Sequence, residues 1–291
     1  VNRGLTYGVL AYLLWGAFPL YFKALQSIPA LEILGHRIVW SLVFVLVLLA
    51  ARHRWAWLRQ VADQPRMLTT FALSALMVSI NWGVYILSVA SGRIVDASLG
   101  YFINPLVSVL LGTVVLRERL RVMQWVAVGI AAAGVGWLTF RAGHVPWIGL
   151  TLAFSFGLYG LLRKTAPLAS LEGLGVETCL LLPLAVAYLG WLGVTGQAAA
   201  PDAAPETWLL LLAAGPVTAA PLLLFAAAAR RISLATLGVV QYLGPTLQLL
   251  LAVYLYGEAF GVAKVIGYGA IWLALAVYTL DGLRRNWRRR R

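Results

Sequence analysis

The chain has 291 residues, of which 62% are hydrophobic and 11% charged, with a formal net charge of +13 and a single cysteine. Soluble domains carry about 25% charged residues, so the composition excludes a soluble globular protein, and one cysteine excludes intramolecular disulfides and multi-cysteine metal sites. The basic residues lie in short gaps between apolar runs, which points to membrane topology and away from nucleic acid.

Runs of about 20 apolar residues, the length that crosses a hydrocarbon core, occupy 4–22, 33–51, 68–90, 94–116, 122–140, 146–163, 172–193, 207–229, 233–256 and 262–281. They predict an all-α integral membrane protein of ten spans. The first continues through Tyr12, Trp15, Phe18 and Tyr21 to Lys23 without a small-residue cleavage site, so it reads as a transmembrane helix and not as a signal peptide. These aromatics recur every three residues and fall mostly on one helical face. The second span brings His36 and Arg37 about one turn in, and the seventh brings Glu177 to the equivalent depth. Ionisable groups at membrane depth are costly, which makes Arg37 a candidate ligand for an anionic group and Glu177 for a cationic group or a proton. Snorkelling to the interface is the plain alternative for both. Glu32 and Glu172 sit in first turns and complement helix dipoles.

The third span offers Asn81, Trp82 and Tyr85, and the sixth Phe156 and Tyr159. The fourth carries Tyr101, Asn104, Pro105 and Ser108 before ending on Glu118. The ninth carries Gln241, Tyr242, Pro245, Thr246 and Gln248 before ending on Glu258. Amides in a membrane need partners, so Asn104, Gln241 and Gln248 are expected to face the bundle interior or a water-filled cavity. Pro105 and Pro245 each remove a backbone donor and predict mid-membrane kinks. Glu118 and Glu258 are expected to act in packing or gating. The fifth and tenth spans are nearly free of polar groups and rich in small residues. Such spans suit close packing within or between protomers, and a homodimer is among the expected partners.

The fourth and ninth spans are copies of one pattern. At an offset of 140, Pro105 falls on Pro245, Glu118 on Glu258, Leu31–Gly35 on Leu171–Gly175, and Gly129 on Gly269. Two halves of five spans each, 1–143 and 144–283, enter the membrane from opposite sides, followed by a basic tail at 284–291. Inverted-topology repeats with interrupted helices at equivalent places are the architecture of secondary transporters. Eighteen Lys and Arg fall in one set of alternate connections and four in the other, which places both termini in the cytoplasm. The sequence has no phosphate-binding loop, no H-E-x-x-H and no G-x-S-x-G, and its three histidines are dispersed, so no enzyme chemistry, metal site or cofactor is expected.

The segments Ala11–Leu25, Pro29–Leu42, Ile80–Val89, Ala97–Leu106, Gly112–Leu120 and Gln241–Glu258 resemble those of the drug/metabolite transporter superfamily, its EamA-type repeat and, more closely, the RarD-like permeases. The resemblance covers nearly the whole chain. It implies a multi-pass bacterial inner-membrane permease that moves small organic solutes, amino-acid-like or drug-like, by alternating access around a central cavity between the two halves. It also implies export, with the fifth and tenth helices outside the cavity. The expected partners are therefore a small-molecule solute and membrane lipid, and no nucleic acid. The alternatives are a lipid or lipid-linked-sugar flippase and an intramembrane enzyme, the latter lacking a catalytic constellation.

Overall fold

A computed structural model of the chain describes residues 3–52, 55–90, 94–142, 147–255 and 261–288. The regular elements among the described residues are all helices: α1 (Arg3–Gly16), α2 (Phe18–Ala24), α3 (Ala30–Ala51), α4 (Ala56–Asp63), α5 (Pro65–Ala90), α6 (Ile94–Val114), α7 (Val122–Ala142), α8 (Trp147–Thr165), α9 (Ser170–Val194), α10 (Pro205–Ala229), α11 (Leu234–Gln241), α12 (Leu243–Leu250), a π-helical turn (Leu251–Leu255) and α13 (Val262–Arg288). The described residues of each of the ten expected spans fall mainly on helix. By length and composition, seven stretches of the described residues can cross a membrane, namely Arg3–Ala24, Ala30–Ala51, Pro65–Tyr85, Val122–Arg141, Ser170–Val194, Pro205–Ala229 and Leu234–Leu255. Gly100–Val114 and Val265–Asp281 are apolar but shorter. The basic pair Arg163 and Lys164 at the end of α8 lowers its mean hydropathy.

Proline placement explains the local breaks. In the first span the helix stops at Gly16 and restarts after Ala17 with Pro19 in the new first turn, where its missing N–H costs nothing. In the ninth, Pro245 cannot donate to Gln241, and the helix divides at Tyr242. Its counterpart Pro105 lies inside α6, which runs on as one helix.

The chain forms two compact units, and each draws on both halves of the sequence. Unit 1 contains α1–α4, α5 up to Ser79, the last turn of α8 from Leu162, α9 and α10. Its packing rests on close helix approach at glycines. A methyl added at Gly35 would fall 2.8 Å from Leu189 Cγ, and one at Gly175 would lie 3.4 Å from Leu49 Cδ1. The two contacts are reciprocal, because Gly175 is Gly35 and Leu189 is Leu49 displaced by 140. They pair α3 and α9 antiparallel. At Gly215 of α10, a methyl would overlap the carbonyl of Trp40, and the Ser41 hydroxyl donates to the Gly215 carbonyl. Glu32 receives the backbone N–H groups of Ala199 and Ala200, at 2.9 Å each. The expected first-turn acid is therefore a strap on the connection between α9 and α10.

Unit 2 contains α5 from Ile80, α6, α7, α8 up to Leu161, α11, α12, the π turn and α13. Its core joins Phe102, Ala127, Ala131, Val135, Val239, Tyr242, Ile271, Ala274 and Tyr278. The small-residue stripes of the fifth and tenth spans meet each other: a methyl at Gly134 would fall 2.9 Å from the Gly267 carbonyl, and one at Gly267 would overlap Leu138. These stripes are thus used within the chain.

Candidate functional site

In unit 1, α10 gathers much of the first cluster on one face, since Gly215, Thr218, Leu222 and Phe225 recur at helical spacing. Arg37 of α3 is half-buried, and its Nε donates to Thr218 Oγ1 at 2.9 Å. Its guanidinium carbon lies 5.4 Å from the Phe22 ring centre and 5.7 Å from that of Phe18, a cation–π frame supplied by α2. The break at Ala17 starts the short helix that presents both rings. Tyr21 of the same helix donates to the Leu210 carbonyl at 2.9 Å, and His36 meets Trp208 edge-on at 5.6 Å. Two turns along α10, Phe225 stacks with Trp15 at 5.7 Å and with Tyr12 at 6.2 Å.

Glu177 lies elsewhere in the unit. The antiparallel register of α3 and α9 puts Arg37 opposite the far part of α9 and Glu177 opposite the far part of α3, about 15 Å apart along the helices at 1.5 Å per residue. The two do not share a site. Glu177 is 2% exposed and Arg163 1% exposed; Arg163 Nη1 stands 3.4 Å from Glu177 Oε1. The Ser74 hydroxyl donates to the same oxygen. Arg163 Nη2 donates to the Ser170 carbonyl at 3.0 Å, its guanidinium lies over Phe71 at 5.6 Å, and its Nε has no hydrogen-bond partner among the described residues. The sequence assigned Arg163 to membrane orientation only. The signal for its second role was Gly173, one turn before Glu177, where any methyl would overlap the guanidinium.

Among the described residues of unit 2 the fully buried polar side chains are neutral. Asn81 Nδ2 donates to the Leu152 carbonyl at 2.9 Å and to Ser155 Oγ at 3.1 Å, tying α5 to α8. Tyr85 and Tyr101 meet edge-on at 6.1 Å, with Trp82 half-buried nearby in sequence. Tyr159 is buried and tilted against Phe156 at 5.8 Å. Tyr242 donates to the Phe102 carbonyl at 3.2 Å; these two residues are equivalent at the offset of 140. Gln241 is buried at the end of α11, and Gln248 is half-buried in α12. Asn104 is 4% exposed, and its Oδ1 has no hydrogen-bond partner among the described residues. Beside it, Pro105, Val109, Ala131, Val239 and Ala274 line a small apolar cleft.

The gating candidate Glu118 caps α11. Its Oε1 accepts from Leu234 N at 2.7 Å and its Oε2 from Ala235 N at 3.0 Å. Arg117 adopts a left-handed backbone (φ 53°) to turn the chain back, and Gly112 leaves the space that the carboxylate fills. Arg121 pairs with Asp281 of α13 at 2.8 Å. Glu258 lies outside the described residues. No group of three His, Cys, Asp or Glu among the described residues could hold a metal ion.

The EamA-like transporter family matches residues 2–140. An uncharacterised transporter of Pseudomonas aeruginosa is 47% identical over 98% of this chain and 95% of its own. Protein RarD of Streptomyces exfoliatus is 46% identical over 99% of this chain and 92% of its own. The chain belongs to the EamA-like transporter family, on its RarD-like branch. The transporter also shares its fold with a protein of known crystal structure, at a TM-score of 0.70 and 21% identity over 96% of this chain and 99% of that one. The family and the Pseudomonas aeruginosa relative are both described as transporters.

Proposed function

We propose that the protein is a secondary transporter of small organic solutes, amino-acid-like or drug-like, that works as an exporter in a bacterial inner membrane with both termini in the cytoplasm. Residues 1–143 and 144–283 act as inverted repeats that alternate access to the solute. The observation carrying this reading is reciprocity at the offset of 140: Gly35 against Leu189 mirrors Gly175 against Leu49, and Phe102 meets its own equivalent Tyr242. Contacts that exchange in this way are what a pseudo-two-fold axis between inverted repeats generates.

Two kinds of group make solute contact. The neutral set is Asn81, Trp82, Tyr85, Tyr101, Asn104, Tyr159, Gln241, Tyr242 and Gln248, which suits a partly aromatic or apolar solute with a few hydrogen-bonding groups. Arg37, framed by Phe18 and Phe22, and Trp15 form the second set. Glu177 acts through Arg163 and holds the ends of α8 and α9 together. Pro105 and Pro245 absorb the bending between states, while Glu118, and Glu258 at the equivalent place, latch helix ends. Metabolite profiling of the medium from cells that overproduce the protein, lack it, or carry Asn104→Ala tests this reading. A small set of solutes is expected outside the cells only with the intact protein; identical media from all three would overturn it.

A further inference from the structure

The segment between α3 and α5 contains a two-turn helix, α4. Both α3 and the start of α5 lie in stretches able to cross a membrane, so the segment that joins them stands at a membrane–water boundary. Trp57 is the inward-facing anchor of α4: it is 7% exposed, with its ring 3.8 Å from where a methyl on Gly175 would be. The outward side is amphipathic. Trp55 and Leu58 remain 41% and 50% exposed, Arg59 is exposed beside Leu58, and Arg52 and Arg66 are exposed at the two ends.

Arg230, Arg231 and Lys164, at other connections of unit 1, have structural work. Arg230 donates to the Ala166 and Leu168 carbonyls at 2.6 and 2.5 Å, and Arg231 to the Ala227 carbonyl at 2.8 Å. Lys164 donates to the Ala229 carbonyl at 3.0 Å. Arg52, Arg59 and Arg66 make no side-chain hydrogen bond or ion pair to another described residue. The one acid of the segment, Asp63, leaves it with a positive excess.

From this placement we infer that α4 lies in the plane of the membrane surface and binds the headgroups of anionic phospholipid. Trp55 and Leu58 enter the boundary between headgroups and acyl chains, where tryptophan is favoured. The three guanidiniums hold headgroup phosphates, which the planar fork of arginine matches with two parallel hydrogen bonds. Charge complementarity selects an anionic lipid over a zwitterionic one. The site is independent of the solute and of its direction of movement.

The test uses the full-length protein in nanodiscs of phosphatidylcholine with and without phosphatidylglycerol. Native mass spectrometry is expected to show phosphatidylglycerol retained in preference to phosphatidylcholine. The triple variant Arg52→Gln/Arg59→Gln/Arg66→Gln is expected to retain it roughly tenfold less, with an unchanged melting temperature as evidence of folding. Excess inorganic phosphate is expected not to displace the lipid. In a Cys179→Ser background, a nitroxide at L58C is expected to be accessible to oxygen and shielded from a water-soluble relaxant. Equal lipid retention by the triple variant, displacement by phosphate, or a label that stays in water would overturn the inference; the last would leave this face to a protein partner.

Discussion

Among the described residues the fully buried charged side chains lie in unit 1, whereas the fully buried polar groups of unit 2 are neutral amides, hydroxyls and phenols. In unit 1 the buried carboxylates Glu32 and Glu177 each meet more than one donor, and Arg37 and Arg163 each combine hydrogen bonding with an aromatic face. In unit 2 Asn81 bridges two helices, Tyr242 bonds a carbonyl, and Asn104 keeps a buried oxygen without a partner among the described residues. A buried charge stripped of its partner is strongly destabilising, so the fully buried Glu32, Glu177 and Arg163 are committed to holding helices. A neutral amide costs less to leave open, so unit 2 can keep hydrogen-bonding capacity for a solute.

The largest effect expected from breaking this contrast is at the buried ion pair. Glu177→Leu alone strands the Arg163 guanidinium and is expected to cost about 3–5 kcal/mol, read as a large fall in melting temperature in detergent. The double variant Arg163→Leu/Glu177→Leu is expected to recover most of that loss. Equal melting for single and double variants would remove the pair from the structural account. Next in size is Glu118→Ala, which leaves the N–H groups of Leu234 and Ala235 without their acceptor, at about 1–3 kcal/mol. Hydrogen exchange at the start of α11 is expected to rise while α9 is unaffected.

Thr218→Val removes the acceptor of Arg37 Nε without changing side-chain volume. About 0.5–1.5 kcal/mol is expected in stability, together with weaker export because Arg37 is one of the proposed solute contacts. Thr218→Ser is expected to rescue both. The smallest stability effect is at Asn104→Leu, since no partner of Oδ1 is lost and a buried polar atom is removed. Its melting temperature is expected to hold or rise while export falls; a clear loss of stability would mean that the amide is structural.

The fold was legible to the extent that apolar length and the offset of 140 are local or linear signals. The described residues of the ten apolar stretches fall mainly on helix, and the Gly35 and Gly175 contacts involve residues 140 apart in sequence. What escaped sequence reading was the pairing of distant polar groups. Arg163 counts as one more basic residue near a helix end until the turn at Ala166–Ala169 folds it back onto Glu177. Glu32 has the sequence of a first-turn acid, and its partners lie 167 and 168 residues away. Helix α4 was missed because eight residues of mixed polarity carry no membrane-length signal. Pro105 and Pro245 match in sequence, but only the helix around Pro245 divides. The proline removes the same donor in both, and the surrounding packing decides whether the helix tolerates the loss.

The most direct test of the division between holding charges and open neutral groups is export of the solute found by metabolite profiling, normalised to protein in the membrane. It would be measured for the intact chain, Arg163→Leu/Glu177→Leu and Asn104→Leu. The account predicts that the ion-pair double variant keeps most of its export and that Asn104→Leu loses it by roughly tenfold, about 1.4 kcal/mol of solute interaction. Full export by Asn104→Leu together with loss in the double variant would contradict it, and would move the solute site to the charges of unit 1.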